Sequence, residues 1–425
     1  MAASNRQDWS LIARLLPWRR HELQVASSKN LTFDAAERQL ATAAGNGSRF
    51  GRRTLPVPVR LLYDRAQRGR ERTTDVNDTT DNIIIDTATR IFQDLCEPNT
   101  VNEAEKGVWP KALWDALEES GLPLTWVSEE LGGAGAELAD GFAVLRVAGR
   151  FAAPVPLAET LMAGWLLARA GIAVPSRPLT IAPVHADGHI ALTSRGTLAG
   201  RARRLPFARN AGHIAVLAHN GDHPTIALVA AANLPISQGT SLAGEPRDDV
   251  SFDGIVPETV RPAAIDQDIL TGLGAAVRLQ QMAGALEKIL EQSVQYALDR
   301  VQFGRPIAKF QAVQHNLATL AGEVAAASAA ADAAAQACSL PEIPMSEIAI
   351  AKVRGGEAAG AGAAIAHQVH GAMGFTYEHS LHHATRRLWS WREEFGNEAV
   401  WATRLGRMVA ARGADQLWPF ITQGS

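Results

Sequence analysis

Residues Arg300–Gln311, Arg-Val-Gln-Phe-Gly-Arg-Pro-Ile-Ala-Lys-Phe-Gln, join two long segments of helical pattern, and this joint constrains the chain more than any other stretch. Upstream, Leu279, Met282, Leu286, Ile289, Leu290 and Val294 recur at helical spacing. Downstream, Ile307, Phe310, Val313, Leu317, Leu320 and Val324 do the same. Phe303-Gly304 breaks the first helix and Pro306 suits the opening turn of the second. A joint rich in arginine, glutamine and phenylalanine makes a poor core and a good ligand grip. Guanidinium forks match phosphate oxygens, amides read polar ring edges, and a phenylalanine ring covers a flat one.

Helical pattern starts near Asp81. Ala88, Ile91, Phe92 and Leu95 make one face, closed by Pro98, and Trp109, Leu113, Trp114 and Leu117 make a second that ends at Gly121-Leu122-Pro123. A third helix carries Phe142, Val144, Leu145 and Val147. Pro154-Val155-Pro156 stops it, and Leu161 to Ala170 forms a fourth. The glycine-rich run Ser128–Gly135 lacks the strand–turn–helix setting of a dinucleotide loop and reads as a structural turn. From Leu179 to about Val260 the texture changes to short runs, His189–Thr193, His213–Ala218, Thr225–Ala230 and Val250–Phe252. They are split by Asp187-Gly188, Asn220-Gly221-Asp222 and Asp253-Gly254, the signature of a small β-domain of meander or barrel type. From Asp266 the pattern is helical almost to the end. The expected fold is therefore mostly α with a β insert: an N-terminal helical domain over 80–178, a middle β-domain over 179–262 and a C-terminal helical domain over 263–425.

Residues 1–79 stand apart. Residues 1–75 carry 14 Arg/Lys and 7 Asp/Glu, against 41 and 44 in the whole chain, so the remainder is acidic with 27 and 37. Length, Glu22, Asp34 and Glu37 argue against an Arg-rich transit peptide, and the segment is read as a basic, disordered extension rather than a nucleic-acid arm. No stretch reaches membrane-spanning length without charges, so no transmembrane helix is expected. Cys96 and Cys338 lie far apart in apolar helical settings, which points to unpaired thiols and a cytoplasmic location.

Three blocks together carry a family likeness. The first is Arg300-x-Gln-Phe-Gly-x-Pro-Ile-x-x-Phe-Gln-x-x-Gln followed by Leu317-Ala318. The second is Ala351-Lys352 with Gln368-Val-His-Gly371-Ala-Met-Gly374-Phe375-Thr376, and the third is Glu129-Glu130-x-Gly132-Gly133-x-Gly135. Over roughly residues 80–420 the chain resembles the acyl-CoA dehydrogenase family. The resemblance implies that fold, with a C-terminal lobe like a four-helix bundle, and FAD as cofactor. It implies that Arg300, Phe303 and Gln311 of one subunit hold FAD together with Gln368, Gly371 and Gly374 of its neighbour. It also implies α,β-dehydrogenation of an acyl-CoA substrate to the 2-enoyl-CoA, in the context of lipid catabolism, with electrons leaving to an electron-transferring flavoprotein. A homo- or hetero-oligomer, dimer or tetramer, goes with it.

That chemistry needs a base for the α-proton. Counting through the last block, the family's glutamate position falls at Phe395-Gly396, and the alternative position on the earlier helix falls near Gly274. Neither residue accepts a proton. Nearby acids are Glu393 and Glu394, with Asp266 and Asp268 opening the earlier helix; Glu394 is the candidate base, and a solvated Arg392-Glu393-Glu394 charge run is the alternative. The threonine-rich stretch that covers the flavin ring in the family is also missing from the β-domain. These departures fit a base-less subunit of a heteromeric bacterial form, or a non-catalytic scaffold that binds FAD or acyl-CoA and kept the fold. His367, His370, His379, His382 and His383 crowd one region without ligand spacing typical of a metal site, so no metal is expected there.

Overall fold

The computed structural model describes residues 77–185 and 188–423. The expected basic extension lies outside the described residues as far as 76, as does Asp187 of the expected Asp187-Gly188 turn. From Asn77 the chain is already helical, and the described residues form one compact unit. It is mostly helical with one sheet inserted, in the order read from the sequence.

The first helical segment holds α1 (Asn77–Leu95), α2 (Pro98–Glu105), α3 (Lys111–Glu119), α4 (Leu138–Arg150) and α5 (Leu157–Arg169). Pro98 closes α1 and also opens α2, because a proline's missing N–H costs nothing in a first turn. The α2 helix was not expected, since Pro-Asn-Thr-Val-Asn-Glu-Ala-Glu buries only Val101 and shows no apolar period. The run Ser128–Gly135 is a 3-10 turn over Glu129–Leu131, with Gly132 and Gly135 at positive φ.

The sheet contains β1 (Leu179–Ala182), β2 (Ile190–Leu192), β3 (Leu198–Pro206), β4 (His213–Asn220), β5 (His223–Ala230), β6 (Ile236–Ser237), β7 (Arg247–Ser251) and β8 (Thr259–Pro262). Its order is β6-β7-β3-β2-β4-β5-β8, with β1 parallel to β4. It is not a simple meander, because β3 pairs with β7 and β2 lies parallel to β4. The nine-residue β3 escaped the sequence reading. Arg201, Arg203 and Arg204 hide its alternation, and the register shifts between Ala202 and Leu205.

The C-terminal segment is built on α6 (Gln267–Asp299). Asp266 Oδ1 accepts the Ile269 N–H at 2.9 Å and starts a helix of 33 residues, about 50 Å long. Against it pack α7 (Gln311–Cys338), α8 (Met345–His370) and α9 (Leu381–Glu393), followed by α10 (Glu398–Arg412) and α11 (Leu417–Gln423). The first half of α6 is buried all round, as a central helix must be. It also crosses α4 closely. A side chain on Gly284 would meet the Arg146 carbonyl at 1.9 Å, so glycine is required there. Cys96 and Cys338 are both buried and free, and burial pushes each thiol up to about 12.

Candidate functional site

The joint between α6 and α7 is a two-residue hairpin. Arg300 caps α6, β9 (Val301–Gln302) pairs antiparallel with β10 (Arg305–Pro306), and Phe303-Gly304 forms the turn. Both turn residues have positive φ, 53° and 78°, which matches the twist of a tight hairpin but is rare for an aromatic residue. Phe303 stands at the tip, 92% exposed, edge-on to Phe310 with the ring centres 6.1 Å apart. The Arg305 guanidinium lies over the opposite partner, 4.4 Å from the Phe310 ring centre. Arg300 and Gln311 are exposed, and among the described residues neither side chain has a hydrogen-bond partner.

The second block sits at the same end of the bundle. Tyr296, one turn before Arg300, stacks on His370 at 4.5 Å, and Gln292 Nε2 donates to Ser380 Oγ at 2.9 Å. Gln368 lies on the last turn of α8, exposed and also unpartnered among the described residues. Gly371 follows at φ 58° with open space where a side chain would be. Gly374, by contrast, is packed: a Cβ there would meet His370 at 3.0 Å and His367 Nδ1 at 3.1 Å. The free guanidinium of Arg300 and amide of Gln311 beside the protruding Phe303 in one block, and the free amide of Gln368 before open Gly371 in the other, are donors of the kind that fits an anionic dinucleotide such as FAD.

The two positions expected for a base meet each other inside the protein. Phe395 is buried, at φ 54°, and its ring lies on the backbone of Gly274, where a Cβ would come within 2.3 Å. Glycine on α6 thus makes room for the phenylalanine after α9, and the space between the helices holds no proton acceptor at either position. Lys352, itself fully buried, fixes this turn by donating to the Arg392 and Gly396 carbonyls at 2.7 and 2.8 Å. Trp401 Nε1 adds a bond to the Phe395 carbonyl at 2.8 Å. Burial holds the Lys352 ammonium down to about 8, against the pull of Glu398, Glu394 and Glu393.

Glu394 is neither a free base nor a solvated charge. Its two oxygens each take one guanidinium: Arg247 Nε at 2.7 Å and Arg278 Nε at 2.7 Å. Burial alone would raise its pKa, but Arg247 and then Arg278 outweigh it and hold the carboxyl down to about 2. A carboxylate so low and so fully engaged is a weak proton acceptor, which removes the physical ground for reading it as the base. Asp266 is spent as the α6 cap, and Asp268 pairs with Arg404 at 2.8 Å.

Sequence reading missed the network to which Glu394 belongs. Arg278 reaches Glu159 of α5 at 2.5 Å, Arg247 reaches Glu245 at 3.0 Å, and Glu245 also accepts from Arg387 at 2.9 Å. Glu105 at the end of α2 closes the row, 2.8 Å from Arg386 and 3.8 Å from Arg387. Four carboxylates and four guanidiniums thus alternate through both helical segments and the sheet. The one available signal was Arg278 itself, a lone charge among Ala275, Ala276, Val277 and Leu279. Beside the network lies a cavity of about 500 Å³, lined in part by Trp109, Phe207, Arg209, Thr240, Glu245 and Arg387; neither Phe395 nor the hairpin borders it.

The acyl-CoA dehydrogenase N-terminal domain matches residues 78–173, and the acyl-CoA dehydrogenase C-terminal domain matches residues 273–410. Acyl-CoA dehydrogenase IpdE2 of Mycobacterium tuberculosis is 30% identical over 275 residues, 64% of this chain and 79% of the relative. Its namesake in Mycolicibacterium smegmatis is 29% identical over 307 residues, 70% of this chain and 89% of the relative. Among solved structures, a variant of the Tcur3481-Tcur3483 steroid ACAD superposes with a TM-score of 0.73 at 23% identity, covering 79% of this chain and 99% of that one. The ChsE4-ChsE5 complex from Mycobacterium tuberculosis gives 0.69 at 24% identity, covering 78% and 97%. No helix among the described residues is long and apolar enough to cross a membrane. The two domain matches, the identity to the mycobacterial relative and the fold agree: the chain belongs to the acyl-CoA dehydrogenase family.

Proposed function

We propose that this chain is the base-less subunit of a heteromeric, FAD-dependent acyl-CoA dehydrogenase that converts an acyl-CoA to its 2-enoyl-CoA. The observation that carries the reading is the Phe395–Gly274 contact, which fills with hydrocarbon the two positions from which a base would come. Dehydrogenation removes a proton from the α-carbon and a hydride from the β-carbon, and FAD, when bound, supplies the hydride acceptor. The proton therefore goes to a carboxylate on a partner subunit.

In this reading the chain contributes binding and position. Arg300 neutralises the pyrophosphate of FAD, Gln311 and Gln368 supply amide donors and acceptors, and Phe303 covers a flat face. Gly371 leaves the backbone open to close approach, while packed Gly374 keeps the segment against α8. Each subunit offers one of these blocks to its neighbour. An electron-transferring flavoprotein takes the electrons away. Two structural neighbours, the Tcur3481-Tcur3483 steroid ACAD and the ChsE4-ChsE5 complex, carry two-part names, which supports a hetero-oligomer. The missing base equally favours a scaffold that binds FAD or acyl-CoA without taking part in turnover.

Co-purification from the native host separates these readings. The heteromer predicts a second, base-bearing subunit, bound flavin and acyl-CoA oxidation by the pair alone. Full flavin occupancy with acyl-CoA oxidation by the isolated chain would refute the base-less assignment. A pair whose oxidation rate is unchanged when this chain is removed would instead favour the scaffold.

A further inference from the structure

The segment Gly371–Ser380 is held to the helices by ring contacts and side-chain hydrogen bonds, among them His382 Nδ1 to the His379 carbonyl at 2.7 Å and Gln292 Nε2 to Ser380 Oγ at 2.9 Å. Phe375 stacks on His367 of α8 at 4.2 Å, and Tyr377 meets the edge of His382 of α9 at 5.1 Å. His379 lies between Tyr296 of α6, at 6.1 Å, and His370 of α8, at 4.7 Å. Yet Phe375 and Tyr377 remain 69% and 77% exposed, so burial of the segment's own rings contributes little. Its fixed position depends on the imidazoles beneath.

Those imidazoles are arranged for the neutral form. His370 Nδ1 donates to the Ala366 carbonyl at 2.8 Å, and His379 Nδ1 accepts from the Leu381 N–H at 3.0 Å. His383 Nε2 meets Asn102 of α2 at 2.7 Å, and His367 Nε2 meets Thr385 at 2.9 Å. Buried His367 Nδ1, His370 Nε2 and His382 Nε2 have no hydrogen-bond partner among the described residues. A proton added at any of them would find no acceptor.

The surroundings do not help. Tyr296 and Gln292 face the pile from α6, Asn102 and Glu105 from α2, and Arg386 and Arg387 from α9, with Tyr377 and exposed Glu378 on the segment itself. Glu105 is taken by the two arginines, and among the described residues no carboxylate oxygen lies within 4 Å of any of the five imidazoles. Two direct imidazole contacts, His370–His379 at 4.7 Å and His382–His383 at 4.2 Å, would set like charges side by side. That repulsion and the loss of hydration outweigh the cation–π gain of a protonated ring on Phe375 or Tyr296.

We propose that this imidazole pile is a proton-sensitive latch: neutral rings clamp Gly371–Ser380 to the helix ends, and protonated rings release it. Burial, followed by the neighbouring imidazoles, holds His370 down to about 4, and burial with His382 and the two arginines holds His383 down to about 3; His367 and His379 are shifted the same way. A histidine with a lowered folded pKa contributes stability that is full above its unfolded value of 6.5 and is lost as pH falls towards the folded value. Because the segment carries Gly371 and Gly374, acid would also weaken dinucleotide binding; that consequence alone rests on the proposed function.

Amide hydrogen exchange of Gly371–Ser380 in the full-length chain tests the latch without cofactor. After correction for intrinsic exchange, His370 alone predicts up to about a 30-fold fall in protection between pH 7.5 and 5. His370→Phe, which keeps a ring on Tyr296 but cannot titrate, should flatten that dependence, and His379→Phe at the more open position should reduce it. Protection that stays constant to pH 5 in the wild type, or that falls equally in both variants, would overturn the proposal. A pH-dependent latch in a chain that binds no FAD would leave the latch standing and refute only the cofactor reading.

Discussion

Replacing Glu394 by glutamine separates a structural anion from a catalytic base. The side chain is 14% exposed and neutralises two arginines that are 1% and 2% exposed. Glutamine keeps the shape but leaves one net positive charge in the network, with Glu245 and Glu159 as the remaining partners of Arg247 and Arg278. Removing one partner of a buried pair costs about 3–5 kcal/mol. The lowered pKa gives an independent figure: a carboxyl at about 2 instead of 4.5 stabilises the fold by about 3 kcal/mol near neutral pH. The sign follows from the direction of the shift. A depressed carboxyl contributes in full above its unfolded pKa of 4.5 and loses that contribution as pH falls towards 2. Urea unfolding of wild type and Glu394→Gln should therefore differ by about 3 kcal/mol at pH 7 and converge as pH drops below 4. A variant of unchanged stability that lost proton abstraction would refute the structural assignment and make Glu394 the base.

Gly274→Ala drives a methyl into the Phe395 ring and should cost at least about 1–3 kcal/mol, with Phe395→Leu restoring part of the loss in a double-mutant cycle. Additive losses would mean that the two residues do not share the space. Arg300→Ala should lower FAD affinity in the assembled enzyme while leaving thermal stability within about 0.5 kcal/mol, since the side chain is exposed and has no partner among the described residues; equal flavin titration curves would sink its role. Lys352→Met leaves the Arg392 and Gly396 carbonyls without their buried donor and should cost about 1–3 kcal/mol by denaturant titration, with no loss arguing that water takes its place.

The sequence made the helices legible where apolar residues recur on one face, as along α6 and α7, and where glycine and proline punctuate them. The Phe303-Gly304 break was readable, although a hairpin with an aromatic residue at positive φ was not, because nothing local in the sequence favours it. The β3 strand was hidden by its arginines and its bulge. The ion network was hidden by distance: Arg247 and Glu394 are separated by 147 residues, and Arg278 and Glu159 by 119. A charged residue in an apolar run signals a buried partner without saying which one. Counting placed Phe395 and Gly274 at the two base positions, but only three-dimensional packing brings one ring onto the other's backbone.

The most direct test of the central claim is α-proton exchange of an acyl-CoA in deuterated buffer, followed by NMR, with the isolated chain and then with its partner. The account predicts no exchange above the buffer rate from this chain alone and exchange once the base-bearing subunit is added. Exchange catalysed by the isolated chain would contradict it.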